Sequence, residues 1–266
     1  WLTSYFGYTG NTFEIDDVSN SVQFEGVAAD YAAVTDIDLR NQSLTTDFNF
    51  LYNFNNLYTL RLKNNNINAI NLRQLFNLNT LFIDNNNISE VDLVDLINCT
   101  DINIGTNPIT SLDTTGLSNL SRLAIGYTQI TALDTTDLTS LDYLECTSLP
   151  GLNINTTGLS NLKTLLAYIS QISSFDATNL INVERIDIYN NNLTDFNLIN
   201  CTKLNRCVAF GNQFNNLVNS QMLIDLDEHG LSNGYFRSTI FGGGTLTNAA
   251  LLAITSLQGK DWIINI

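Results

Sequence analysis

From residue 57 onward, the apolar positions of the chain return every 21 residues through residue 204 without a change of length. One repeat reads Leu57, Leu60, Leu62, Asn65, Ile67, Ile70 and Leu75, and the next reads Leu78, Leu81, Ile83, Asn86, Ile88, Val91 and Leu96. The register restarts at Cys99, Leu120, Leu141, Leu162, Val183 and Leu204. A variant turn opens one coil earlier with Val34, Ile37, Leu39, Gln42 and Leu44, and takes 23 residues to reach Leu57. Alternation within the LxxLxL part is the period of a strand, so residues such as Leu60 and Leu62 point inward and their neighbours outward. One such repeat cannot bury its apolar face alone, and a fixed period of this size predicts stacked coils. Nine coils are expected over residues 34–224.

Stacked coils place their strands in a parallel sheet with a spacing of about 4.8 Å. The Asn that follows the strand, at Asn65, Asn86, Asn107, Asn191 and Asn212, turns the chain inward, and its amide both donates and accepts, as a ladder between coils needs. Thr128, Leu149 and Ser170 interrupt it. The Leu149, Pro150, Gly151, Leu152 stretch moves the next apolar residue by one place and predicts a local bulge. The return half of each coil is too short for a regular helix. Its alternating pairs, such as Ile70 with Leu72 and Val91 with Leu93, predict brief extended segments.

The recurring LxxLxLxxNxL motif resembles the leucine-rich repeat family. The repeat length is similar to the internalin-like class and to the 21-residue class with LxxLD in its second half, seen here at Leu112 with Asp113 and Leu133 with Asp134. The ending Leu257, Gly259, Asp261, Trp262, Ile264, Ile266 resembles the C-terminal module of secreted bacterial and phage-borne leucine-rich repeat proteins. The resemblance implies a β-rich solenoid with a parallel sheet on one face, short extended or turn segments on the convex face, and an α/β cap.

The ends of the array fit that plan. In residues 1–33, Phe13, Ile15, Val22 and Phe24 alternate with polar residues around a turn-rich stretch, which predicts a hairpin. This segment is an N-terminal cap or the end of an upstream domain. Residues 34–224 form the solenoid and 225–266 a strand-helix-strand cap. In the closing region, helices are predicted over 221–229 (closed by Gly230) and 248–257, and strands over 235–241 and 261–266, with a turn at 242–244.

The net charge of −15, from 26 acids against 11 Lys and Arg, argues against nucleic acid or an anionic membrane as main partner. No apolar run is long enough for membrane insertion. The first residue is Trp1, so a processed segment or a piece of a longer chain is expected. Cys99, Cys146, Cys201 and Cys207 each replace a core-facing aliphatic residue and are expected to be buried free thiols. No cofactor or metal is expected.

Register also identifies the outward positions. Leu166, Tyr168, Tyr189, Val208 and Phe210, joined by Tyr127 and Tyr143, predict an aromatic and apolar patch suited to binding. Arg122, Arg185 and Arg206 line the preceding outward position and would orient an acidic or glycan-bearing partner. The alternative is that the cap or a neighbouring copy covers the patch. A second ladder, Asp92, Asp113, Asp134 and Asp176 with interspersed Asn, would either hold calcium or bond its own turn amides; the turn reading is favoured. DTTG at residues 113–116 belongs to the repeat, and His229, the only histidine, is expected to be solvated. The expected function is a non-enzymatic extracellular binding or adhesion module for a protein or glycan. The alternative is a structural subunit of a virion or cell-surface assembly, such as a phage fibre, using the same face for contacts between copies.

Overall fold

Short strands form where the LxxLxL alternation places them. The computed structural model describes residues 12–16, 21–25, 31–45, 48, 51–240 and 244–266. The chain divides into two compact units, one ending at Ile130 and one spanning residues 131–266. In the first, β1 (Thr12–Asp16) and β2 (Ser21–Glu25) pair antiparallel with Phe13 opposite Phe24 and Ile15 opposite Val22. This is the predicted hairpin; its turn and Trp1 lie outside the described residues. Next come β3 (Asp36–Asp38), β4 (Thr59–Arg61), β5 (Thr80–Phe82), β6 (Asp101–Asn103) and β7 (Arg122–Ala124), parallel and in register. Their central residues Ile37, Leu60, Leu81, Ile102 and Leu123 form one fully buried column.

The second unit repeats the plan. Its return segments β8 (Ala132–Leu133) and β10 (Asn153–Ile154) pair parallel, giving the brief extended pieces expected there. Its main sheet contains β9 (Tyr143–Glu145), β11 (Thr164–Leu166), β12 (Arg185–Asp187) and β13 (Arg206–Val208). Repeat strands thus open at residues 36, 59, 80, 101, 122, 143, 164, 185 and 206, so the chain completes eight turns from the first to the last. The fold is a leucine-rich repeat solenoid of parallel strands. At the predicted bulge Gly151 adopts φ +71°, and the amides of Gly151 and Leu152 both donate to the Ser170 carbonyl.

The closing region differs from expectation in its boundaries. Helix α1 (Asn216–Glu228) opens inside the segment expected to be repeat, because the Asn215 side chain accepts hydrogen bonds from the Leu217 and Val218 amides and caps it. Strand β14 (Tyr235–Arg237) pairs with β13, helix α2 (Asn248–Gly259) follows, and β15 (Ile263–Asn265) pairs with β14. Both strands are shorter than predicted, and residues 241–243 of the expected strand end and turn lie outside the described residues. Met222, Leu226, Phe236, Leu257 and Trp262 are buried, as are the last coil's Phe214 and Leu204.

The asparagine ladder is built as its chemistry requires. Asn191 accepts from the Ser170 and Ile172 amides and donates to the Ala167 and Ile188 carbonyls, at 2.8–3.1 Å. Asn65 makes the same four contacts six repeats earlier, with Gln42, Leu44, Leu39 and Leu62. A second, exposed ladder went unread in the sequence. Asn56, Asn77, Asn98 and Asn119 each donate to a carbonyl of the preceding coil, at 2.8–2.9 Å.

All four cysteines are free and buried. Burial pushes the thiols of Cys99 and Cys201 up to about 12, and those of Cys146 and Cys207 up as well. Since only the thiolate is nucleophilic, the folded chain should take up no iodoacetamide at mildly alkaline pH and four equivalents in denaturant. Mass spectrometry of the alkylated protein reads both states; rapid labelling of the folded chain would show that the thiols open to solvent.

Candidate functional site

The sheet of the second unit carries one continuous column of planar groups. Tyr168 and Tyr189 stack with centroids 4.5 Å apart and planes within 6°, and Tyr189 and Phe210 stack at 4.8 Å within 7°. The Arg237 guanidinium lies 4.0 Å above the Phe210 ring and closes the column. The geometry follows from register: these rings sit two positions after Leu166, Asp187 and Val208, which are paired across β11, β12 and β13. Strand spacing of about 4.8 Å is close to the thickness of stacked rings, so identical outward positions in successive coils become a stack. Each contact contributes about 0.5–1.5 kcal/mol beyond area burial.

Beside the column runs a charged row. Asp187 is nearly buried and accepts from Arg185 on its own strand and from Arg206 Nε at 3.2 Å. Arg206 also lies 5.0 Å over the Tyr235 ring. The outward positions of β12, β13 and β14 thus hold three arginines, Arg185, Arg206 and Arg237, against the single carboxylate Asp187. Their sign is opposite to the chain's overall charge.

The other predicted contact residues separate. Leu166 and Tyr143 are half-buried on the same sheet, whereas Val208 is only 5% exposed and offers a partner little surface. Arg122 and Tyr127 belong to the first unit. There Tyr127 stands 60% exposed at φ +58°, and Arg122 lies 3.4 Å from Asp101. Burial raises the Asp101 carboxyl above its ordinary range while Arg122 pulls the other way. Outward charges on the first unit are matched within it: Arg40 with Asp38, Arg61 with Asp36, and Lys63 with Asp84, at 2.7–3.0 Å. Arg237 and Tyr235 escaped the sequence reading because they follow β13 by a 29-residue step (206 to 235) rather than 21, which takes them out of repeat register. The signal available was the lone apolar strand segment after α1.

The carboxylate ladder bonds its own turns. Asp92, Asp113, Asp134 and Asp176 each accept from the amide two residues on, as do Asn71, Asn155 and Asn197. Hydrogen bonds from the hydroxyl and then the amide of Thr115, Thr136 and Thr178 hold Asp113, Asp134 and Asp176 below the usual carboxylate range. Among the described residues no group of three or more His, Cys, Asp or Glu is arranged to hold a metal ion. His229 does not stand in solvent as expected. It is half-buried, with Nε2 3.3 Å from the Ile199 carbonyl and Nδ1 buried without a partner. Among the described residues no helix is long and apolar enough to cross a membrane.

No protein-family model and no curated protein matches the sequence. Solved structures do. The functional domain of InlJ from Listeria monocytogenes, which includes a cysteine ladder, matches with TM-score 0.61 and 22% identity over 80% of this chain and 51% of that one. The present chain therefore spans about half the length of that domain. Internalin C2 from Listeria monocytogenes matches with TM-score 0.60 and 26% identity, over 70% of this chain and 83% of that one. A complex of Latrophilin 3, Unc5D and the leucine-rich repeats of FLRT2 contains a chain matching at TM-score 0.59 and 22% identity, over 74% of this chain and 66% of that one. The cysteines here occupy four different repeat positions, so each stands alone in its column. Repeat length, strand register, asparagine ladder and these structural likenesses agree: the chain is a leucine-rich repeat protein of internalin-like fold.

Proposed function

We propose that the chain is a non-enzymatic protein-binding module, displayed at a cell surface or outside the cell, that contacts its partner through the aromatic and arginine face of the second unit. The stacked column of Tyr168, Tyr189, Phe210 and Arg237 carries this reading. Stacking holds these side chains in place before any partner arrives, so little rotamer freedom is lost on binding. It also selects the class of partner. Both faces of Tyr189 and of Phe210 are covered by column neighbours, leaving ring edges and hydroxyls to make contacts. A sugar ring stacks on an open aromatic face, whereas a protein surface packs against edges and hydrogen-bonds to hydroxyls. Three arginines against one carboxylate favour a partner that presents carboxylates. The Latrophilin 3, Unc5D and FLRT2 complex, in which a similar fold takes part in a protein assembly, supports a protein partner.

The test is Tyr168→Ala with Tyr189→Ala and Phe210→Ala. Loss of the stack costs some stability, so circular dichroism must first show the variant folded. Labelled wild-type chain should bind cultured cells, trypsin treatment of the cells should abolish the binding, and the variant should bind about 30-fold more weakly or worse. Light scattering of both proteins accompanies it. An oligomer that the variant breaks would assign the face to contacts between copies, as in a surface or virion assembly. Cell binding unchanged in the variant would remove the face from the interaction.

A further inference from the structure

On the first unit, a groove of about 710 Å³ at the start of its strands is lined by Asn56, Asn77, Asn98, Asn79, Tyr58 and Asp36. Its wall is the exposed asparagine ladder. The Nδ2 groups of Asn56, Asn77 and Asn98 donate to the carbonyls of Ala32, Asn55 and Phe76, each at 2.8 Å. One N–H of each amide is thereby committed, which fixes the amide plane. The other N–H and the Oδ1 acceptor of each have no protein partner among the described residues. The result is a row of oriented donor and acceptor pairs repeated once per coil, at a step of about 4.8 Å. Asn119, bonded to Ile97 at 2.9 Å, continues the same row one coil further.

Two further features narrow the ligand. Tyr58 stands 53% exposed at the groove, and among the described residues no ring or cation stacks on it. Unlike the Tyr189 and Phe210 rings of the column, it retains an open face. The lining is otherwise amide and hydroxyl, and its one carboxylate, Asp36, is matched by Arg61 at 3.0 Å. A neutral wall of fixed amides does not select for charge. It suits a ligand whose groups each donate and accept, presented at regular steps along a line, with an apolar ring face for the tyrosine.

We infer that this groove binds a linear, neutral polysaccharide, with successive sugar hydroxyls on Asn56, Asn77 and Asn98 and one pyranose face on Tyr58. The site is separate from the aromatic column and does not depend on the protein-binding reading. The second unit would hold a protein partner, and the first would rest on a glycan matrix.

The full ¹⁵N-labelled chain is titrated with cellohexaose, chitohexaose, maltohexaose and mannohexaose, following side-chain amide resonances, with hexagalacturonate as the charged comparison. At least one neutral saccharide should shift the Asn77 and Asn98 amides. Tyr58→Ala should weaken that binding at least tenfold, Tyr58→Phe should retain it, and the variant lacking Tyr168, Tyr189 and Phe210 should bind as the wild type does. The assignment is overturned if no neutral saccharide shifts these amides up to its solubility limit, if only the charged one does, or if Tyr58→Ala binds unchanged. Amide spectra of each variant confirm that the fold is intact.

Discussion

Asn191→Ala should lower stability by about 4 kcal/mol, read as a fall in the urea midpoint with unchanged slope. The side chain is 5% exposed and makes its contacts in the interior of the stack. Its loss strands the Ser170 and Ile172 amides and the Ala167 carbonyl; the Ile188 carbonyl keeps the Asn212 amide at 3.0 Å. Each buried group without a partner costs about 1–3 kcal/mol, and partial entry of water keeps the sum below simple addition. The protein contains its own control. At Ser170 the hydroxyl donates to the Cys146 carbonyl at 2.9 Å and accepts from the Leu149 amide at 3.3 Å, which reproduces two of the three links to the preceding coil. Asn191→Ser should therefore cost only about 2 kcal/mol. Hydrogen exchange at the Ser170 and Ile172 amides should accelerate more in the alanine variant than in the serine one. Equal losses in both would show that the ladder amide acts by filling space rather than by bonding.

Gly158→Ala should cost at least about 3 kcal/mol, whereas Gly151→Ala should cost about 1 kcal/mol. Both glycines have left-handed backbones, at φ +91° and φ +71°, so both substitutions meet the Cβ penalty of that region. Only Gly158 also lacks room. A Cβ there would lie 2.5 Å from the Thr135 carbonyl oxygen and 2.7 Å from that of Thr136, while at Gly151 nothing lies within 4 Å. The Thr135 hydroxyl already ties this seam together, sharing its one proton between the Asn155 and Thr157 carbonyls. Moving the backbone aside would break those bonds. The difference between the two melting temperatures isolates the steric part. Equal effects would mean that the neighbouring coil yields freely.

Much of this architecture was legible because a solenoid repeats one local problem. An inward Leu and a ladder Asn satisfy the same neighbours in each coil, so register alone predicts that Leu60, Leu81 and Ile102 share a column and that Asn65 and Asn191 bond alike. Register fails where the step changes. The cap begins at Asn216 and β14 joins the sheet out of period, so Arg237 could not be placed over Phe210 from spacing. Backbone conformation was also hidden. The residue before each ladder position is left-handed, and Asn64, Asn85 and Gly211 suit that region, but Tyr127 and the β-branched Ile169 occupy it at φ +58° and +59°. There the hydrogen bonds of the coil override local preference: the Ile169 amide is held by the Tyr189 carbonyl at 3.1 Å.

By itself the sequence determined the repeat, the inward and outward faces, the buried thiols and the aromatic positions, because each depends only on period and polarity. Tertiary structure decided what those positions do. Stacking turns three outward rings into a column in which both faces of Tyr189 and Phe210 are covered, burial leaves Val208 little surface, and bonds to carbonyls of the preceding coil orient Asn56, Asn77 and Asn98 along a groove beside Tyr58. These are distances and angles between coils, and a one-dimensional pattern states only which residues recur.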